Sequence, residues 1–116
     1  MTTKLTVLKD INGNVFYAIP FSDHAYNTTL AEGTAQTIPV PGDAVIAIFT
    51  WTSGTDIFVS TTGTATLPGG SVALTASYMN PITRPVSGVT NLSIITPNTQ
   101  AYIEVSFYTL LLPGIQ

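Results

Sequence analysis

Hydrophobic positions along this chain recur with a period of two, and Gly, Pro or Asn interrupts each run. The clearest alternation lies over 100–111. Ala101, Ile103, Val105 and Phe107 fall on one face of an extended strand, and Tyr102, Glu104, Ser106 and Tyr108 fall on the other. Both faces carry large side chains, so the second face is also a candidate for cover. The helical spacing is hard to find anywhere.

The same pattern predicts strands over 35–40, 44–51, 56–60, 72–77 and 91–96. A hairpin is predicted between 5–8 and 15–19, because Asn12-Gly13 is a turn dipeptide that accepts positive φ. The stretch 20–33 is less regular and reads as a loop or one short helix over 28–32. Pro39 and Pro41 bracket Val40, which marks an edge or a corner. The stretch 80–85 holds two prolines and reads as an ordered loop. The runs 91–96 and 100–111 read as a closing pair joined by Pro97-Asn98-Thr99. Roughly seven to nine short strands separated by turns predict an all-β fold, an antiparallel β-sandwich or jelly roll, with a closed barrel as second choice. At 116 residues the chain is expected to form a single domain, with a short N-terminal arm and an apolar C-terminal tail.

Composition sharpens this picture. Only 8% of the residues are charged, against roughly 25% in an average soluble domain. Twenty are threonine. A surface poor in charge but rich in hydroxyls and small side chains suits contact with other protein. Net charge is −3, with Lys4, Lys9 and Arg84 as the only strong bases. Three scattered cations cannot neutralise a run of phosphates, so neither nucleic acid nor a membrane surface is an expected partner. The absence of cysteine excludes disulfides and thiolate-held metals. The opening MTTKLTVLKD has no apolar signal-like run, and no stretch approaches the roughly 20 apolar residues of a membrane span. The chain is expected to be made in a cytoplasm.

Chemistry is sparse. His24 adjoins Asp23, and a hydrolase reading would recruit Ser22 or Ser53, but neighbours in sequence do not make a triad. Asp10 and Asp43 look like turn residues and Asp56 like the start of a strand. Glu104 stands out, since it lies inside the most hydrophobic strand. It reads either as an outward edge charge that discourages aggregation or as an intersubunit partner for Arg84, Lys4 or Lys9. No calcium-loop or phosphate-cradling motif is present, and no cofactor is expected. Trp51 ends the most apolar run, where it is core, interface or a glycan-stacking platform.

Two segments suggest a family: 51–60, WTSGTDIFVS, and 79–86, MNPITRPV, followed by the closing AYIEVSFY at 101–108. Together they resemble small β-sandwich structural proteins of tailed bacteriophages, notably capsid decoration (cement) proteins. The resemblance implies a non-enzymatic virion component, made in the host cytoplasm. It would clamp onto the major capsid protein or another virion protein, with a homotrimer favoured by the lattice symmetry. The contacts expected for that role are the arm 1–4, the loop 80–86 with Asn80 and Arg84, Glu104, and the tail 110–116 with Leu110, Leu111, Leu112 and Ile115. The alternative reading is a carbohydrate-binding module or tail-spike adhesin that recognises glycans through exposed aromatics, Trp51 first.

Overall fold

A computed structural model describes residues 3–5, 8–9, 12, 15–16, 21–68 and 77–110. Over these residues the chain is all-β. Eleven strands are numbered in chain order: β1 (Thr3–Leu5), β2 (Leu8–Lys9), β3 (Val15–Phe16), β4 (Ala25–Ala31), β5 (Gln36–Pro39), β6 (Ile46–Trp51), β7 (Phe58–Ser60), β8 (Ser77–Met79), β9 (Thr83–Pro85), β10 (Asn91–Ile95) and β11 (Gln100–Leu110). Two sheets pack together as a β-sandwich. One has the order β1-β11-β6-β9, with β4 also on β11; the other has the order β5-β10-β7-β8. β2 and β3 form the hairpin read from Asn12-Gly13, with Lys9 opposite Val15. Leu5, however, belongs to β1, which pairs with β11 instead.

β11 organises the larger sheet. Along one side it pairs antiparallel with β4 from Gln100 to Ser106, then parallel with β1 from Tyr108 to Leu110. Its other side pairs with β6. The predicted inward row holds: Ala101, Ile103, Val105 and Phe107 are all buried. They meet Phe49 and Ala47 of β6, Leu30 of β4, and Leu92, Ile94 and Val59 of the facing sheet in one core. The faces of the smaller sheet divide by strict alternation. Leu92 and Ile94 enter that core, whereas Ile95 and Phe58 turn outward against Ala65 and Leu67. Ser93 lies on this outward side, and its hydroxyl accepts the Ala65 amide at 2.9 Å. All four residues from Leu92 to Ile95 are buried as a result.

Four expectations are corrected. Residues 28–32 are neither loop nor helix but lie largely in β4, a seven-residue strand. Its inward row is Tyr26, Thr28 and Leu30, too polar to stand out in sequence, and its conformation is set by pairing with β11. The 80–85 loop contains β9, which pairs with β6. Among the described residues β9 is an edge strand, which tolerates Pro85 because one side of its backbone has no ladder to maintain. β10 and β11 do not pair with each other: 97–99 carries the chain from one sheet to the other, so the two apolar rows meet across the core. Glu104 is not an edge charge, since it lies between Asn27 of β4 and Thr50 of β6. The run 72–77 falls outside the described residues except Ser77, which opens β8.

The joint where β4 and β1 meet end to end is built from Ser22, Asp23 and Thr3. The Thr3 amide and hydroxyl both donate to Asp23 Oδ1, at 3.0 and 2.8 Å. The Ser22 hydroxyl donates to the Phe107 carbonyl at 2.6 Å and accepts the His24 amide at 3.0 Å.

Candidate functional site

Within the described residues, β8 pairs only with β7 and β9 only with β6. Among the described residues the two sheets therefore end in these short strands, with no further strand paired to either, and residues 80–82 pass between them. Asn80 makes that crossing possible. It is the one described non-glycine residue with positive φ, 48°, a conformation that Asn tolerates better than branched residues. Its Oδ1 accepts the Ile57 amide at 2.8 Å, and its Nδ2 donates to Asp56 Oδ1 at 2.9 Å. Asp56 is tied in turn to the 97–99 crossing: its amide donates to Asn98 Oδ1 at 2.8 Å and its carbonyl accepts the Thr96 hydroxyl at 2.7 Å. Asn80 was singled out as a contact residue; its side chain is spent on holding the turn.

The turn displays what surrounds it. Tyr78, Met79 and Ile82 are 60%, 61% and 65% exposed. Tyr78 and Met79 are neighbours on β8 and project to opposite faces of its sheet, Tyr78 opposite core-facing Val59 and Met79 opposite outward-facing Phe58. Between the sheets opens a cavity of about 300 Å³, lined by Phe49, Val59, Val86 and Leu92, with exposed Tyr78 and Arg84 on its rim. The registers explain the rim. Tyr78 lies opposite Val59 and Arg84 opposite Ala47, so each points to the core side of its sheet at an edge where no further described strand pairs. Arg84 donates one bond, from Nη1 to the Thr83 carbonyl at 3.0 Å. It makes no ion pair with a described acid. Most of its fork is left for a carboxylate or carbonyl brought by a partner.

The other candidates lie elsewhere. Glu104 is half-buried on the outer face of the larger sheet, two strands away from β9. Leu110 ends β11, opposite Leu5; Leu111, Leu112 and Ile115 lie outside the described residues. Trp51 packs against the core cluster, and its indole Nε1 donates to the Thr55 carbonyl at 3.1 Å. It thereby closes a turn whose Gly54 has φ 83°. The indole edge is engaged, and the ring is only partly exposed. Ser22 and Asp23 belong to the strand joint, where Asp23 Oδ1 stands 3.6 Å from His24 Nδ1.

Tyr78 escapes the sequence reading because the strand over 72–77 is expected to end before it, and Met79 enters only as the first residue of the segment 79–86, not as a contact residue. The available signal was an apolar pair directly ahead of the turn dipeptide Asn80-Pro81. No known protein family, curated protein or solved structure matches this chain.

Proposed function

We propose that this chain is a non-enzymatic virion structural protein that decorates and stabilises a bacteriophage capsid. It docks on the major capsid protein or another virion protein through the face formed by β8, the 80–82 crossing and β9. One observation carries the reading: exposed Tyr78 and Arg84 rim an apolar cavity at the end of the sandwich, where Met79 and Ile82 also stand exposed. Apolar anchors at the centre of a contact and an arginine at its rim are the composition of energetically dominant interface residues. A charge-poor surface costs little to desolvate around them. Repetition on a lattice multiplies even a small contact through avidity. The resemblance to capsid decoration proteins supplies the class of partner and favours a homotrimer.

The first test is the mass of the purified full chain by light scattering across a dilution series, beside the double variant Met79→Ser, Ile82→Ser. A trimer in the parent and a smaller species in the folded variant support the edge face as a subunit contact. A parent that is monomeric at every concentration removes the trimer. The capsid role is tested by purifying virions from the source of the sequence: failure of the chain to copurify with them removes it.

A further inference from the structure

The outer face of the larger sheet carries a second surface feature, remote in character from the apolar edge. A groove of about 500 Å³ runs over the middle of β4, β11 and β6, lined among others by Asn27, Thr29, Thr50, Thr52, Tyr102 and Glu104. Its volume lies within the range of small-molecule sites. Register places the residues in rows, because side chains directly opposite in antiparallel strands share a face. Asn27, Glu104 and Thr50 form one row across three strands, and Thr29 and Tyr102 form the next. Thr52 closes the second row: its hydroxyl accepts the Tyr102 amide at 2.9 Å.

The chemistry of this groove is unspent. The side chains of Asn27, Thr29, Thr50 and Glu104 make no hydrogen bond within the described residues. Glu104 is half-buried yet has no cation paired with it there. Tyr102 is 61% exposed beside it. The short Asn and Thr side chains flank two long ones, so the carboxylate and the phenol ring stand open to a ligand.

We propose that this groove binds neutral oligosaccharides. Adjacent sugar hydroxyls present paired donors to a carboxylate, and bonds to an ionised acceptor are the stronger class. The Asn27 amide and the threonine hydroxyls donate and accept, which matches hydroxyls that do the same. The apolar face of a pyranose ring packs on the Tyr102 ring, as apolar groups pack on aromatic faces generally. Glu104 sets the charge preference: it repels sialylated and uronate sugars. Trp51, the platform suggested by sequence, is not the stacking residue, since it lies opposite core-facing Ile103 and packs against the core on the other side of the sheet. This site is independent of the edge face and of the capsid reading.

The test uses the full-length chain on a printed array of neutral, sialylated and uronate-containing oligosaccharides. The best-retained neutral sugar is then titrated into isotope-labelled protein. Retention of neutral sugars, with amide shifts concentrated at 27–29, 50–52 and 102–104, supports the proposal. Tyr102→Ala and Glu104→Gln are each expected to weaken binding roughly tenfold, the scale of one aromatic contact or one charge-assisted bond. The double variant Met79→Ser, Ile82→Ser is expected to bind like the parent, which separates this site from the edge. Should Tyr102→Ala fail to fold, Tyr102→Leu is expected to lose stacking equally. The proposal is overturned if no neutral sugar is retained, if only anionic sugars are, or if folded groove variants bind like the parent. It is also overturned if N-acetyl-lysine methylamide moves these amides and the sugar does not, since the groove would then be a cation site.

Discussion

Asn80 and Ile57 are joined twice: the Ile57 amide donates to Asn80 Oδ1 at 2.8 Å, and the Asn80 amide donates to the Ile57 carbonyl at 2.8 Å. One side chain thereby reproduces a rung of backbone pairing where the chain leaves one sheet for the other. Asn80→Ala is expected to cost about 1–3 kcal/mol, the penalty for leaving a largely buried amide without its acceptor, with added strain from the positive φ. Asn80→Asp keeps an acceptor but sets a second carboxylate against Asp56. Urea denaturation of the two variants checks both effects, and an Asn80→Ala midpoint equal to the parent's contradicts the assignment.

The joint between β1 and β4 should respond to acid. The Thr3 hydroxyl donating to Asp23 holds its carboxyl below its ordinary value of 3.8, and neighbouring His24 adds to the pull. A carboxyl lowered in the folded state stabilises it above the unfolded value, and that contribution disappears as pH falls through the lower folded value. Melting temperature is therefore expected to fall less steeply below pH 3.8 in Asp23→Asn than in the parent. Equal slopes would show that the joint contributes nothing through ionisation.

Alkali should act on Tyr108 with the opposite sign. Burial, followed by the charge of Glu104, raises its phenol above its ordinary value of 10.0. A raised value in the folded state gives stability that is complete below 10.0 and is lost as pH climbs through the folded value. Tyr108→Phe is expected to remove that alkaline component of unfolding. Phenolate absorbance followed against far-ultraviolet dichroism reads it directly.

The two faces of β11 should differ sharply in mutational cost. Phe107 is fully buried, and Phe107→Ala is expected to cost about 3–5 kcal/mol by opening a cavity. Ser106 is one residue away on the outer face, and Ser106→Ala is expected to change stability by less than about 0.5 kcal/mol. Comparable losses from the two would overturn the assignment of faces.

Sequence pattern found what local alternation determines: the inward row of β11, the apolar body of β6, the Asn12-Gly13 hairpin and the edge character of Pro39. It could not find β4, whose inward residues include Thr28, because a strand held mainly by its neighbour's backbone needs little apolar alternation of its own. Nor could it choose the sheet for each strand. The segment 97–99 looks like a hairpin turn, but only the fit of Leu92 and Ile94 against Ile103 and Val105 decides that it crosses between layers. For the candidate sites, Arg84 is marked by its rarity and Glu104 by its place inside the most hydrophobic strand. Tyr78, Met79 and the groove around Tyr102 became visible only once strand order had shown which edges and faces lack cover.

The central place of β11 also sets an order of events at the ribosome. β1, β4 and β6 are all translated before the strand with which each of them pairs. During synthesis they must wait with open edges, and the larger sheet closes only after residues 100–110 emerge. Nascent chains halted before Gln100 would lack the strand that joins β1, β4 and β6, leaving sticky intermediates rather than a smaller stable sandwich. A cell that makes this protein in quantity has reason to keep chaperones close to the exit tunnel.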